Sequence, residues 1–324
     1  MKHLTCLLAA TALTAASASA ALAEKWDMPM AYPATNFHSE NAAAFAKCVG
    51  EGTDGKLEIV IHAGGSLFGG NDIKRAVQTG QAPIGERLLS AHANENPLYG
   101  IDSIPFLATS FDASEKLWAA ASDKLKAVLE ADNLVYVYAV PWPAQGLYMK
   151  KDVNSVADLE GVKFRAYNAA TARIAELAGM APVQIEAAEL SQALATGVVE
   201  SFISSGATGV DSKVWEQLTH FYDVQAWLPR NVVFVNKDAW TALDDASKAA
   251  ITTCGEKAAA DGLAKVKELS GGYLKTLEEN AMKVSPPSEQ LASELEAFGK
   301  TMTDEWLANA GEDGKAVIDA YRAN

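Results

Sequence analysis

"APVQIEAAELSQALATGVVESFIS", Ala181 to Ser204, reads as a strand, a helix, a Thr-Gly turn and a second strand. An earlier stretch, "LEIVIHAGGSLFGGNDIKRAVQTGQAPIG", Leu57 to Gly85, follows the same order, and "AVQTGQAPIG" and "ALATGVVESF" share their punctuation. The two are not a sequence repeat, but they predict two domains of similar plan. Outward from them, strand and helix keep trading places. "KWDMPMAY" and "LVYVYAVPW" read as strands, a helix ending near Gly50 is capped by Asn36 or Ser39, and "ASEKLWAAASDKLKAVLEADN" is an amphipathic helix. "GLYMKK", "KFRAYN" and "TARIAELAG" continue the alternation, which predicts an α/β fold with largely parallel strands. After Trp240 the chain turns helical to its end.

The first residues are of another kind. "MKHLTCLLAATALTAASASAALA" has a basic start at Lys2, an apolar run of about a dozen residues and a small-residue end, Ala21-Leu22-Ala23. It reads as a secretory signal peptide cut before Glu24 and predicts an exported, periplasmic protein. No other run is long and apolar enough to be expected to span a bilayer. The chain carries 27 basic and 41 acidic residues; removing Lys2 leaves 26 minus 41, a net charge of −15. That acidity argues against nucleic acid and anionic membrane surfaces as partners. Any anion site must be a local feature in a repulsive field. Two cysteines remain after cleavage, Cys48 and Cys254. In an exported chain they invite a disulfide; two buried free thiols are the alternative.

Within "GVKFRAYN", Gly161 to Asn168, Val162 and Phe164 alternate with Lys163 and Arg165 as in a strand with one buried face. Arg165 at the carboxyl end is either a surface charge paired with Asp158 or Glu160, or a fixed cation waiting for an anion.

The chain resembles the substrate-binding proteins of tripartite ATP-independent periplasmic (TRAP) transporters, the DctP-like family. The matching pieces are "GGSLFGG", "IKRAVQTGQAPIG", "DSIPFL", "NSVADLEGVKFRAYN", "AELSQALATGVVES" and "NVVFVNKDAW", in the family's order over nearly all of the mature chain. The most specific are the D-L-x-G-x-K-x-R run from Asp158 to Arg165 and the run from Ala193 to Glu200. The resemblance implies a type II-like periplasmic binding protein of two α/β domains, with hinge strands, long C-terminal helices and a cleft that closes on a ligand. On this chain residues 1–23 are the signal peptide, 24–145 plus 231–270 domain I, and 146–230 plus 271–324 domain II. It also implies that Arg165 holds the carboxylate of a small organic acid, which the protein hands to the TRAP membrane subunits. A monomer is expected of such a carrier, with no cofactor and no metal.

The chain departs from that pattern in two places. Tyr148 stands where many relatives carry a second basic residue, and a tyrosine there can donate a hydrogen bond or stack. Ser204 stands where many have an asparagine. Trp142, just past a buried strand, and Asn168, directly after the Arg165 strand, are further candidates, with Tyr167 beside it. So are Glu86, next to Arg87 at the end of a strand, and Phe37, with Tyr32 and Trp227 behind them. Each has an ordinary structural reading as core, loop or local ion pair. This set suits a monocarboxylate with an apolar, aromatic or hydroxylated body.

An exported hydrolase or lyase is the competing class. The chain has no G-x-S-x-G, H-E-x-x-H, P-loop or C-x-x-C motif. His38, His62, His92 and His220 are scattered without metal-ligand spacing. A binder serving a sensor or another transporter is the nearer alternative, separable by the neighbouring genes. Some relatives hold a cation at the ligand, but no acidic cluster points to one here.

Overall fold

The computed structural model describes residues 23–323. Apart from Ala23, the expected signal peptide lies outside the described residues. In the first half, β1 (Glu24–Pro29) leads to α1 (Phe37–Gly52), which Asn36 caps by accepting the His38 N–H, and then to β2 (Leu57–His62), parallel to β1. α2 (Ile73–Gln78), β3 (Ile84–Leu88), α3 (Phe111–Ala131) and β4 (Leu134–Pro141) follow.

The second half begins at β5 (Gln145–Met149). It continues through β6 (Lys163–Ala166), α4 (Ala169–Leu177), β7 (Ala181–Gln184), α5 (Leu190–Ala195), β8 (Ser201–Ser205), α6 (Gly206–Asp211) and β9 (His220–Tyr222). The chain then returns as β10 (Arg230–Asn236), and α7 (Lys237–Ala242), α8 (Asp245–Glu279), β11 (Lys283–Ser285) and α9 (Glu289–Ala323) complete it. The two Thr-Gly turns are one physical device: Gly80 and Gly197 sit at φ +75° and +69°, where a side chain would be strained.

The expectation of largely parallel strands is not met. β10 lies antiparallel between β3 and β4, and β5 lies antiparallel between β8 and β9 in the six-stranded order β11-β9-β5-β8-β6-β7. The cause is the chain's path. β5 carries it into the second half and β10 carries it back, so each runs against its new neighbours. The two crossing segments are bonded to each other: Trp142 N–H donates to Pro229 O at 2.7 Å, Gln145 N–H to Trp227 O at 3.0 Å and Ala226 N–H to Gln145 O at 2.9 Å. A paired two-stranded hinge results.

The long helices tie the halves on the outside. α8 packs on α1 and β4 and reaches α6, while α9, broken at Gly311, packs on α3 and also reaches α4. Cys48 on α1 and Cys254 on α8 are bridged, with Cα atoms 5.8 Å apart and 206 residues between them in sequence. Closing a loop of that length removes about 5 kcal/mol of unfolded-chain entropy in the chain-entropy account.

Candidate functional site

β6 sits between β8 and the edge strand β7, and the carboxyl ends of such strands are where α/β sheets place ligands. Arg165 is there, 4% exposed. Its Nε donates to Ile185 O at 2.9 Å, and its guanidinium lies 5.0 Å over the Tyr167 ring. The ion pairs of arginines among the described residues are those of Arg87, Arg173 and Arg230; no carboxylate comes within pairing distance of Arg165. Asp158 is spent on a capping box with Ser155, so the surface pair with Arg165 does not form. Burial pushes the Arg165 guanidinium down to about 10, which leaves it cationic at neutral pH.

Arg165 lines a cavity between the halves. Tyr32, Pro33, Arg87 and Leu88 come from the first half, Trp142 and Pro229 from the crossing segments, and Gln145, Tyr167, Glu186, Ser204, Thr208 and Asp211 from the second half. The space open to the centres of water-sized molecules is about 60 Å³. At the usual 10–15 Å³ per water, that is room for roughly four to six waters, the bulk of one small organic molecule. Three side-chain contacts join the halves around it: Arg87 to Glu186 at 3.5 Å, Asn36 Nδ2 donating to Asp211 Oδ2 at 2.6 Å, and Asn168 Nδ2 donating to Ser90 Oγ at 3.0 Å.

The walls are held by their own bonds. Trp142 Nε1 donates to Asn231 Oδ1 at 2.8 Å, and its ring meets Tyr32 edge-on at 4.8 Å. Tyr167 donates to Gln145 Oε1 at 3.1 Å and accepts from Trp227 Nε1 at 3.2 Å, which orients its ring under the Arg165 guanidinium. Ser204 donates to Thr208 Oγ1 at 2.8 Å. Burial pushes the Tyr32 phenol up to about 12, so its hydroxyl keeps its proton and can donate.

Arg165, Trp142 and Ser204 are therefore brought together, and Tyr32 and Tyr167 join them. The other sequence candidates stand elsewhere. Tyr148 points to the far side of β5: its hydroxyl donates to Ser205 O at 2.9 Å, and its ring stacks on Phe202 at 4.3 Å. Glu86 faces away from the cavity toward His38, 3.2 Å distant, while its neighbour Arg87 takes the cavity side and Leu88 lines it where β3 ends. Asn168 caps α4 by accepting the Thr171 N–H and spends its amide on Ser90. Phe37 stands one layer back, edge-on to Trp142 at 5.2 Å.

Several polar lining residues have no signal in the sequence: Gln145, Glu186 and Asp211 sit in a loop or at element ends, and Thr208 lies inside the short α6, with no period to betray them. Asp211 is pushed up to about 6 by burial, against the pull of the Asn36 hydrogen bond. Among the described residues no three His, Cys, Asp or Glu side chains gather as a metal site, and no helix is long and apolar enough to cross a membrane.

The family described as bacterial extracellular solute-binding protein, family 7 (DctP) matches residues 29–309. The chain belongs to that family. Among solved DctP relatives, a TRAP solute-binding protein from an unidentified marine microbe, in complex with co-purified pyroglutamate, is 57% identical. The match covers 93% of this chain and 99% of that one, with a TM-score of 0.92. DctP6 of Bordetella pertussis, an extracytoplasmic solute receptor binding pyroglutamic acid, is 47% identical over 93% of this chain and all of its own, with a TM-score of 0.91. A monocarboxylate 2-oxoacid-binding periplasmic protein of a Nostoc species is 25% identical over 98% of this chain and 89% of its own. The DctP fold is the two-domain, type II-like one, and its members are solute-binding receptors rather than enzymes.

Proposed function

We propose that this DctP-family protein captures pyroglutamate in the periplasm, holds its carboxylate on Arg165, and hands it to the membrane subunits of a TRAP transporter. The observation that carries the reading is the Arg165 guanidinium: 4% exposed, without a carboxylate partner, and lining a space the size of one small molecule. A cation in that position is stabilised by an incoming carboxylate, which a planar guanidinium can bind in bidentate fashion. Relatives at 57% and 47% identity that bind pyroglutamate support the choice of acid. The lining suits a small ring as well: Trp142, Tyr32 and Tyr167 offer flat apolar faces, while Ser204 and Gln145 offer polar groups at the edge. The contacts between the halves fit a cleft shut around its ligand, and the basic, apolar, small-residue start of the chain fits export.

The test is a thermal-shift screen of the ligand-stripped protein against pyroglutamate, 2-oxoacids, hydroxy acids, sugar acids, neutral sugars and amines. A ligand at 100 times its Kd adds about 2.7 kcal/mol and raises the melting temperature visibly. The expected result is the largest shift with pyroglutamate and none with neutral or cationic compounds. Shifts confined to neutral or cationic compounds overturn the assignment of Arg165.

A further inference from the structure

Arg165 and Glu186 stand at the carboxyl ends of neighbouring parallel strands, and the backbone fixes their separation. Arg165 Nε holds Ile185 O at 2.9 Å, and Ile185 N–H donates to Ala166 O at 3.1 Å. Glu186 lines the cavity. Its side chain closes a capping box with Glu189 and its Oε2 faces Arg87 Nη2 at 3.5 Å, whereas its Oε1 is buried with no hydrogen-bond partner. The arrangement is built rather than incidental. A Cβ at Gly70 would come within 2.5 Å of Glu186 Oε2 and 2.7 Å of Arg87 Nη1, so glycine there leaves room for the pair. Asp211, the other carboxylate on the cavity wall, is already bonded to Asn36 at 2.6 Å. Glu186 Oε1 is thus an acceptor whose donor is missing from the protein.

We propose that Glu186 makes the site selective for acids carrying a hydrogen-bond donor on the carbon next to the carboxylate. In pyroglutamate that donor is the lactam N–H; this deepens the pyroglutamate reading and rests on it. With the carboxylate on Arg165, the neighbouring ring position falls toward the adjacent strand end, where Glu186 begins the next turn. A donor there satisfies Oε1. A ring oxygen in the same place sets lone pair against carboxylate and leaves the acceptor unpaired, the situation in which polar sites discriminate most sharply.

The experiment compares pyroglutamate with its lactone analogue, in which ring oxygen replaces the N–H, by calorimetric titration of the ligand-stripped mature protein. The lactam should bind about 100-fold more tightly than the lactone. In Glu186→Gln the preference should fall to within about threefold, because the amide can present either its oxygen or its N–H to the ring. Two results overturn the proposal: a wild-type protein that binds the lactone within about threefold of the lactam, or a variant that keeps the full 100-fold preference. Failure of the wild type to bind the lactam at all is a different outcome and overturns the pyroglutamate reading itself. The wild-type comparison needs no variant, so it stands even if Glu186→Gln folds poorly.

Discussion

Arg165 and Arg230 are buried almost equally, at 4% and 3% exposure, and both sit at strand ends. Their surroundings differ in kind. Arg230 Nη2 donates to Ser114 Oγ at 3.1 Å and pairs with Glu115, and its guanidinium lies 5.2 Å over the Trp118 ring. Beside it is a space of about 10 Å³, barely one water. Arg165 has a carbonyl, a ring, no carboxylate, and about six times that space. A buried charge costs several kcal/mol unless something compensates it. Arg230 is compensated by a carboxylate of the protein, and Arg165 has none. Burial alone does not distinguish the two; the missing carboxylate partner and the larger space beside it are what support Arg165 as the proposed anchor.

Exchanging the two arginines for neutral residues should separate their roles. Arg165→Ala should cost about 2–5 kcal/mol of pyroglutamate affinity. Its ligand-free melting temperature should stay unchanged or rise, since the residue removed is a buried cation without a carboxylate partner. Calorimetric titration beside a melting curve reads both, and binding near the wild-type affinity would break the comparison. Arg230→Met should do the reverse. It should lower stability by about 2 kcal/mol, below the usual cost of breaking a fully buried pair because the Glu115 side chain keeps 37% exposure, and leave affinity close to wild type. A loss of affinity without a loss of stability in Arg230→Met would mean that its network shapes the cavity after all.

The same contrast explains what could be read from the chain alone. The strand–helix order, the paired Thr-Gly turns and the position of Arg165 at a strand end are local features written in periods of two and of three to four. The antiparallel seats of β5 and β10 are not local; they follow from the chain crossing the hinge twice, which no window of sequence records. The site candidates divide the same way. Trp142 and Ser204 line the cavity with Arg165. Glu86 and Asn168 each lie one position from a residue that does, Arg87 and Tyr167. Which face of β3 looks into the cavity is decided by its pairing with β10, more than 140 residues later in the chain. A one-residue shift of face exchanges the whole set. The family's pattern makes Tyr148 a candidate, but on β5 its parity sends it into the Phe202 and Phe221 cluster.

A smaller effect sets Arg165 against a charge of the opposite sign in the same cavity. Asp211 is held by Asn36 and faces Glu40 on α1 and Tyr273 on α8, and burial pushes it up to about 6. It is therefore neutral at pH 5 and a carboxylate at pH 7.5, whereas the ligand carboxylate stays ionised across that range. Affinity should fall about threefold to tenfold from pH 5 to 7.5 as a second anion appears beside the bound one. Stability should move in the same direction. A carboxyl group with a raised folded pKa binds its proton more tightly when folded, so the stability it confers is present at low pH, declines between about pH 4 and 6, and is flat above. Asp211→Asn keeps an acceptor for Asn36 and should flatten both profiles. Titration at the two pH values, with and without the substitution, measures this directly. Equal wild-type affinities at pH 5 and 7.5 would mean that the Asp211 charge is already neutralised by its surroundings, leaving the Arg165 cation to determine the electrostatics of the cavity.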